Sequence, residues 1–483
     1  MAFVSRGLTW CLALGITFSA WGASRPSRRS TLPNLVLIVA EDLAVDELNG
    51  LPDRRLVTPN LDELTRQGFR FTQAYVGSPA GVAARASLLT GLAADQASIR
   101  SEIQEPLAPD DITVAEVVRA VGYRTSLVGQ WGLGWEGTTG HPNQQGFLEF
   151  LGSLDLQHGA YERTQFLWRN EFPFTLRPFP QARLDDLAAS WLFRGVTNFV
   201  RLNEDLPFFL VFAPHLPGGG TLPMLPGEPA EFHYTNTTWT AAERSRAVRI
   251  TRLDHQVGQL IAELQRRNLS GDTVVALTSV PAFEAVPAGR WNRLTGGAQG
   301  RSHRLSEADL RAPLVFWGPG RVRVGETNLP VAAWDLLPTL GEIAGAPLPG
   351  KLAGLSLWPL ISATNGISTN RPPAPLYWES HGPVSGQAAR LDFWKGLQWG
   401  PQKTLELYDL QTDPQERTNV ISSHPEVANQ FQGLFQARFR TWAPPNPGET
   451  NAPGRTGRTV PAIPFQQPMR TNLFPIGNSA VSP

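Results

Sequence analysis

The sequence predicts an α/β protein with a mainly parallel central sheet covered by helices. Short apolar runs typical of buried strands recur along residues 31–345, and helix-like segments separate them. The first run, TLPNLVLIVA at 31–40, ends directly before Glu41 and Asp42. Because open α/β sheets place ligand-binding groups just beyond the carboxyl ends of their strands, we expect a functional site there.

Further elements follow in chain order. Thr58 is predicted to cap a helix that has Pro59 at its first position. A second helix is predicted at 252–265, where apolar residues recur at helical spacing. Apolar runs typical of buried strands lie at 124–128, 208–212, 274–277 and 314–317. These elements together complete the predicted sheet and its helical cover.

The composition changes near residue 346, where Pro and Trp cluster and the apolar runs become shorter. Residues 346–445 are therefore predicted to form a smaller C-terminal α+β domain, with a final helix at 426–442. Its antiparallel strands are expected at 377–379, 389–392 and 404–410. Residues 446–483 are rich in Pro, Asn, Gly and Thr, which is typical of a disordered tail.

Composition and the N-terminus limit the class of protein. The 42 basic and 42 acidic residues give a formal net charge of +0, so no nucleic-acid partner is expected. Arg6, an apolar run at 8–18 and small residues after it predict a signal peptide at 1–23, with export to the periplasm or outside the cell. A membrane anchor is the alternative, but the run is short for a stable span. Cys11 is the single cysteine, so the mature chain forms no disulfide, which favours a bacterial protein.

One segment carries a specific resemblance. Residues 71–91, FTQAYVGSPAGVAARASLLTG, resemble the signature of the type I sulfatases, in which C-x-P-x-R or S-x-P-x-R precedes A-x-L-L-T-G. The segments PNLVLIVAEDL, APHLP and LYDLQTDPQERTNVISSHPEV extend the resemblance over nearly the whole mature chain. It implies an alkaline-phosphatase-like α/β/α sandwich over 31–345.

The resemblance also implies which residues carry chemistry. The family's catalytic formylglycine forms from the cysteine or serine of the pentad, and its hydrated aldehyde attacks sulfur. The matching residue here is Gly81, which has no Cβ to oxidise. Family positions that hold sulfate-binding cations are occupied by Gln130, Gly132 and Ala298. No catalytic residue is thus expected to be intact.

Two cleft residues of the family pattern are retained, Arg85 from the pentad and His215 from P-H-x-P. The resemblance implies that the arginine holds the formylglycine loop and that the histidine helps to bind sulfate. The structural alternative is that Arg85 is a buried residue that bonds loop carbonyls and that His215 is a capped histidine at a strand end.

The family's metal, usually calcium, is held by four oxygen-bearing protein ligands. Two positions retain carboxylates, Glu41 and Asp42, whereas Val280 and Pro281 occupy the other two. Calcium prefers six or more oxygen ligands, so we expect no calcium cofactor, or weak binding at best. Glu284 would rejoin the site only if its loop folded back.

Three functions remain open at this point. The first is an exported pseudo-sulfatase that binds a sulfated or neutral glycan, or a protein, through the old active-site cleft. The second is a sulfuric ester hydrolase that uses other groups; Ser78, Ser87 and Thr90 are the nearby hydroxyls. The third is a structural partner of an active paralogue. A cleft filled by side chains would favour the structural role, and an open, aromatic-lined cleft would favour ligand binding.

Overall fold

The computed structural model describes residues 32–49, 56–160, 164–176, 187–218, 233–235, 238–282, 305–363, 374–381, 385–400 and 404–439. Four sequence predictions lie outside these residues: the signal peptide at 1–23, Glu284, Ala298 and the tail at 446–483. The chain up to Gln436 groups as one compact unit. None of the described helices has the length and apolar character needed to cross a membrane.

Strands and helices alternate along the described chain. The strands are β1 (Asn34–Glu41), β2 (Phe69–Phe71), β3 (Ala74–Tyr75), β4 (Arg124–Gln130), β5 (Glu149–Ser153), β6 (Phe166–Arg169), β7 (Phe172–Thr175), β8 (Phe208–Ala213), β9 (Thr273–Val280), β10 (Leu314–Trp317), β11 (Gly325–Thr327), β12 (Val331–Ala332), β13 (Leu376–Ser380), β14 (Gly386–Leu391), β15 (Trp394–Trp399) and β16 (Glu406–Asp409). The helices are α1 (Pro59–Gln67), α2 (Gly81–Thr90), α3 (Val114–Ala120), α4 (Leu156–Gly159), α5 (Ala188–Leu202), α6 (Ala241–Arg266), α7 (Glu307–Leu310), α8 (Leu336–Ile343), α9 (Trp358–Ile361) and α10 (Pro425–Phe439).

The largest sheet has ten strands in the order β11-β2-β10-β9-β1-β8-β4-β5-β6-β7. Its centre, β9-β1-β8-β4-β5, is parallel throughout. Antiparallel pairs join β10 to both β9 and β2 on one side, and β6 to both β5 and β7 on the other. The predicted mainly parallel sheet is therefore confirmed, and the antiparallel strands toward its edges are an addition to the prediction.

Alternating side chains of the central strands supply two hydrophobic cores. In β1, Leu35, Leu37 and Val39 enter one core together with side chains of α2, α3 and α8. Val36 and Ile38 enter the other core, where α1, α5 and α6 pack. Because a central parallel strand is covered on both faces, its residues read as one continuous apolar run. The layers form an α/β/α sandwich.

The start of α1 corrects one local prediction. Thr58 stands at the N-cap position, but its side chain makes no capping hydrogen bond. Asp254 of α6 performs that role instead: its Oδ1 accepts from the backbone nitrogens of Asn60 and Leu61, at 2.8 and 2.7 Å. The cap is therefore supplied by a distant part of the chain. The second predicted helix also begins earlier than expected, behind a capping box at Thr240.

The C-terminal region contains a four-stranded antiparallel sheet in the order β13-β14-β15-β16. One face packs against α10 through a cluster that includes Tyr377, Phe431 and Phe435. The other face joins Trp378 to a cluster with Tyr75 and Trp334. The predicted antiparallel sheet and final helix are confirmed, although β15 was not predicted.

Candidate functional site

The site lies where the central parallel strands end. Glu41 is the last residue of β1, Gln130 ends β4, and His215 follows β8 by two residues. The register pairs Glu41 with Val280, the last residue of β9. Since these strands are parallel, their carboxyl ends meet at one edge of the sheet. Helix α2 brings Arg85 to the same place.

Arg85 is the centre of a buried hydrogen-bond network. Its Nη2 donates to Glu41 Oε1 at 3.1 Å and to Gln130 Oε1 at 2.8 Å. Its Nη1 donates to the Gly81 carbonyl oxygen at 3.2 Å. Arg85 therefore bonds the carbonyl oxygen of the first residue of its own helix, rather than a loop carbonyl, and it also neutralises a buried carboxylate.

His215 completes this network through Nδ1. That atom contacts Glu41 Oε2 and lies 2.7 Å from Gln130 Nε2. Because Nδ1 carries either a proton or a lone pair, donation to Glu41 and acceptance from Gln130 are alternatives. The retained histidine is thus tied to Glu41 rather than left as an isolated strand-end residue.

The carboxyl group of Glu41 is ionised at neutral pH. Its side chain is only 1% exposed, and this burial raises its pKa. The charge and hydrogen bond of His215, followed by those of Arg85, outweigh burial and lower the pKa of Glu41 to about 2. Glu41 is therefore a fixed negative charge with two fixed partners.

Asp42 faces a different cation. It has a left-handed backbone with φ 59°, and its Oδ2 accepts from Arg246 Nη1 at 3.2 Å. Burial, and then the neighbouring charges of Glu47 and Glu41, raise the pKa of Asp42 to about 6, although Arg246 lowers it. The side chain retains 34% exposure, so solvent screens part of these interactions.

Backbone and a carboxylate enclose the family's nucleophile position. Gly81 is the first residue of α2, and a Cβ placed there would lie 2.6 Å from the Pro281 carbonyl oxygen. The backbone nitrogen of Gly81 donates to Glu102 Oε1 and Oε2, at 3.2 and 3.1 Å. A carboxylate is favourable at a helix N-terminus. The Pro281 carbonyl oxygen therefore lies on the Cβ side of Gly81, and the Glu102 carboxylate binds its backbone nitrogen.

Helix α4 fills the neighbouring position. A Cβ placed at Gly132 would lie 2.7 Å from Leu156 Cγ, and Leu156 is 2% exposed. Gly159, at the other end of α4, packs so closely that its own Cβ would lie 2.5 Å from Gln130 Nε2. Sequence reasoning did not identify α4 as part of the site, because no motif marks this helix.

Within the described part of the chain, the three nearby hydroxyls bond only to backbone atoms. Ser87 Oγ donates to the Leu92 carbonyl oxygen at 2.6 Å, and Ser78 Oγ accepts from the backbone nitrogen of Ala80 at 3.2 Å. Thr90 Oγ1 donates to the carbonyl oxygen of Ala86 at 2.8 Å. An activated serine or threonine needs an adjacent base. These contacts are structural ones.

The residues present do not fit the calcium site that the resemblance implies. Val280 and Pro281 have hydrocarbon side chains, so neither position offers a side-chain oxygen. Glu41 and Asp42 are each engaged by an arginine. Within the described ranges, no group of three or more His, Cys, Asp or Glu residues is arranged to hold a metal ion. Among the residues that the structure describes, too few oxygen ligands remain for calcium.

Comparison with known proteins decides the family. Residues 33–346 match the family model "Sulfatase", and residues 302–438 match "N-sulphoglucosamine sulphohydrolase, C-terminal". The chain belongs to the sulfatase family. Arylsulfatase A of Homo sapiens is 31% identical over 400 residues, which cover 74% of this chain and 71% of that protein. N-acetylgalactosamine-6-O-sulfatase of Bacteroides thetaiotaomicron is 24% identical over 496 residues, covering 85% and 94%.

Solved structures place this sulfatase-family chain in the same fold. Ps i-CgsB in complex with k-i-k-neocarrahexaose superimposes with a TM-score of 0.70 at 23% identity, covering 85% of this chain and 93% of that one. The phosphonate monoester hydrolase of Agrobacterium radiobacter gives a TM-score of 0.58 at 18% identity, covering 85% and 96%. These matches confirm the alkaline-phosphatase-like fold.

Proposed function

We propose that this sulfatase-family protein is catalytically inactive and acts by binding, as a pseudo-sulfatase. The observation that carries the proposal is at Gly81. Glycine offers no Cβ from which a formylglycine can form, and the Pro281 carbonyl oxygen stands 2.6 Å from where that Cβ would be. The first step of sulfatase chemistry therefore has no nucleophile at its family position.

The charges around the site support the same conclusion. Sulfate transfer needs cations that face the sulfate oxygens as negative charge develops. Here Arg85 is bound to Glu41, while the neutral Gln130 stands at one cationic position of the family. Leu156 packs over Gly132 at another. These described residues provide a neutralised site rather than an electropositive one.

The binding partner is proposed from the relatives and from the close packing around Gly81 and Gly132. Relatives include enzymes named N-acetylgalactosamine-6-sulfatase, and a solved relative holds a neocarrahexaose, so sulfated and neutral glycans are one class to test. The Pro281 carbonyl oxygen and Leu156 stand close to where side chains at Gly81 and Gly132 would lie. This close packing favours a partner protein on this exported chain, with an active sulfatase paralogue as the first candidate.

The test of the proposal is an activity assay of the signal-free protein, produced in a host that generates formylglycine. Aryl sulfates and sulfated oligosaccharides should give no turnover above heat-inactivated protein, while an active arylsulfatase assayed in parallel does. Titration with the same oligosaccharides, sulfated and desulfated, and gel filtration with an active paralogue then separate glycan binding from protein binding. Sulfate-ester turnover that disappears in His215→Ala but not in His424→Ala would contradict the proposal.

A second candidate function is a sulfuric ester hydrolase with non-standard residues. One observation favours it: the structure brings Arg85 and His215 together, and His215 Nε2 is buried without a hydrogen-bond partner in the described chain. That nitrogen is the atom such an enzyme would use toward a substrate. The assay above decides between the two functions, because only this candidate requires turnover that depends on His215.

A further inference from the structure

Three carboxylates crowd the carboxyl end of β1. Glu41 and Asp42 stand at family positions for metal ligands, and Glu47 follows them in the next turn of chain. Glu41 and Glu47 are each 1% exposed. Buried like charges at one strand end are costly unless cations compensate them. Because the site does not fit calcium, other groups of the chain must compensate these negative charges.

Arg246 meets two of these carboxylates at once. Its Nε lies 2.6 Å from Glu47 Oε1, and its Nη2 lies 2.8 Å from Glu47 Oε2, which is a bidentate pair. Its Nη1 donates to Asp42 Oδ2 at 3.2 Å, and Nη2 also donates to the Asp42 carbonyl oxygen at 2.5 Å. The guanidinium therefore uses all three of its nitrogens on the end of β1.

The position of Arg246 is fixed by its helix. It lies on α6, the 26-residue helix that packs against the sheet, and its side chain is only 13% exposed. A planar guanidinium held in this way is a rigid, permanently charged group. Sequence separation from Asp42 is 204 residues, so the contact exists only in the folded chain.

We infer that the Arg246 guanidinium takes the electrostatic place of the metal cation at the end of β1. It is a built-in counter-ion for Asp42 and Glu47, as Arg85 is for Glu41, and it makes the folded state independent of calcium. This inference goes beyond the proposed function, since it would hold whether or not the protein retains any hydrolase activity.

The charges around Arg246 predict how its removal would change the stability and the calcium response of the protein. Arg85 and His215 face the Glu41 carboxylate, whereas Arg246 faces those of Asp42 and Glu47. Without Arg246, two buried or half-buried carboxylates lose their guanidinium partner, which is strongly destabilising. The same change exposes carboxylate oxygens to a small divalent cation, for which they are suitable ligands. The variant should therefore lose stability and acquire a response to calcium.

The experiment measures thermal unfolding of the full signal-free chain in chelator and in about 10 mM calcium chloride, with ionic strength matched by sodium chloride. The wild type should show the same Tm in both solutions. Arg246→Met should have a lower Tm, of which calcium restores about 2 °C or more. Arg267→Met is the matched control, because Arg267 also joins two carboxylates, Glu204 and Glu263, but away from β1. It should show no calcium response.

A double variant keeps the inference testable if Arg246→Met does not fold. Asp42→Asn removes one of the charges that Arg246 compensates, so the Asp42→Asn/Arg246→Met protein should fold, or lose less stability than the sum of the two single changes. The inference would be overturned by a wild-type Tm that rises with calcium, or by an Arg246→Met protein that keeps the wild-type Tm or whose Tm calcium does not raise. It would also be overturned if calcium raised the Tm of Arg267→Met equally, or if the stability losses of the two single changes simply added in the double variant.

Discussion

At Gly81 the sequence lacks the family's oxidisable side chain, and the structure leaves little space for one. Gly81→Cys restores the family's oxidisable side chain, but its Cβ would meet the Pro281 carbonyl oxygen at 2.6 Å. We expect Gly81→Cys to lose about 1–3 kcal/mol of stability through overpacking and to remain inactive. Urea unfolding and an aryl sulfate assay measure the two effects.

The matched control for this change is Gly433→Ala on the exposed side of α10. A Cβ at Gly433 has nothing within 4 Å, so the substitution should be neutral or stabilising by up to about 1 kcal/mol through helix propensity. A Gly81→Cys protein as stable as the wild type and able to hydrolyse sulfate esters would refute the geometric argument.

Glu41 gives a prediction on pH. Its pKa in the folded protein is lowered to about 2 from an ordinary value of 4.5, mainly by His215 and Arg85 against the effect of burial. A depressed carboxyl pKa stabilises the fold above the unfolded-state pKa, and this contribution is lost as pH falls through 4.5 toward 2. The contribution is on the order of 3 kcal/mol. Between pH 6 and 3, the free energy of unfolding in urea should therefore depend less on pH for Glu41→Gln than for the wild type. Equal slopes for the two proteins would contradict this prediction.

At this scale the sequence identified only part of the site. Glu41, Gln130, Arg85 and His215 were predictable because ordered motifs surround them. Arg246 was not, because it lies within a long helix without a motif and reaches Asp42 only through the tertiary fold. The close packing of Leu156 and of the Pro281 carbonyl against Gly132 and Gly81 was unpredictable for the same reason: apolar side chains and backbone atoms carry no sequence signal for the contacts they make.

Strand β15 provides a prediction at the scale of the element. Its Lys395 is fully buried, and Nζ lies 3.0 Å from Glu307 Oε1 and 2.8 Å from Glu416 Oε1. Burial lowers the pKa of Lys395, but the two carboxylates raise it above its usual value. Lys395→Met would leave two buried carboxylates without their shared cation, so we expect a loss of about 3–5 kcal/mol in urea unfolding.

The exposed Lys351 supplies the control for that variant. Lys351→Met removes a charge from the surface and should change stability by no more than about 0.5 kcal/mol. If Lys395→Met lost no more stability than Lys351→Met, the ion pairs of Lys395 with Glu307 and Glu416 would contribute little to the stability of the fold.

The predictability of the elements follows their burial. β1, β8, β9 and β10 are buried along their whole length, and the apolar runs revealed them. β7 is largely exposed and β15 carries Lys395 in its interior, so neither shows such a run. Pattern reasoning therefore found β1, β4, β8, β9 and β10 of the large sheet and missed β5, the strands toward its edges and one strand of the small sheet.

For the whole molecule, the packing of the four-stranded sheet against the chain at β3 predicts joint unfolding. Trp378 of β13 donates Nε1 to the Val76 carbonyl oxygen at 2.8 Å, and its ring lies 5.2 Å from that of Tyr75. Both rings belong to a buried cluster that also contains Trp334. Separating the four-stranded sheet from β3 would expose this cluster to water.

Native-state hydrogen exchange measures this coupling. Amides of β1 and β9 and amides of β13 and β14 should exchange with the same free energy and the same dependence on denaturant, as expected for one cooperative unit. An earlier, separate opening of the small sheet would show instead that the two sheets unfold independently.

The close packing of α4 on Gly132 has a consequence for protein engineering. Gly132 has φ +82°, where a side chain is strained, and Leu156 fills the space beside it. Gly81 is obstructed in a similar way by the backbone at Pro281. A library of single substitutions would therefore meet a loss of stability at Gly81 and at Gly132 before any gain in rate. A route to activity must change residues in pairs, with the obstructing neighbour replaced before, or together with, the glycine.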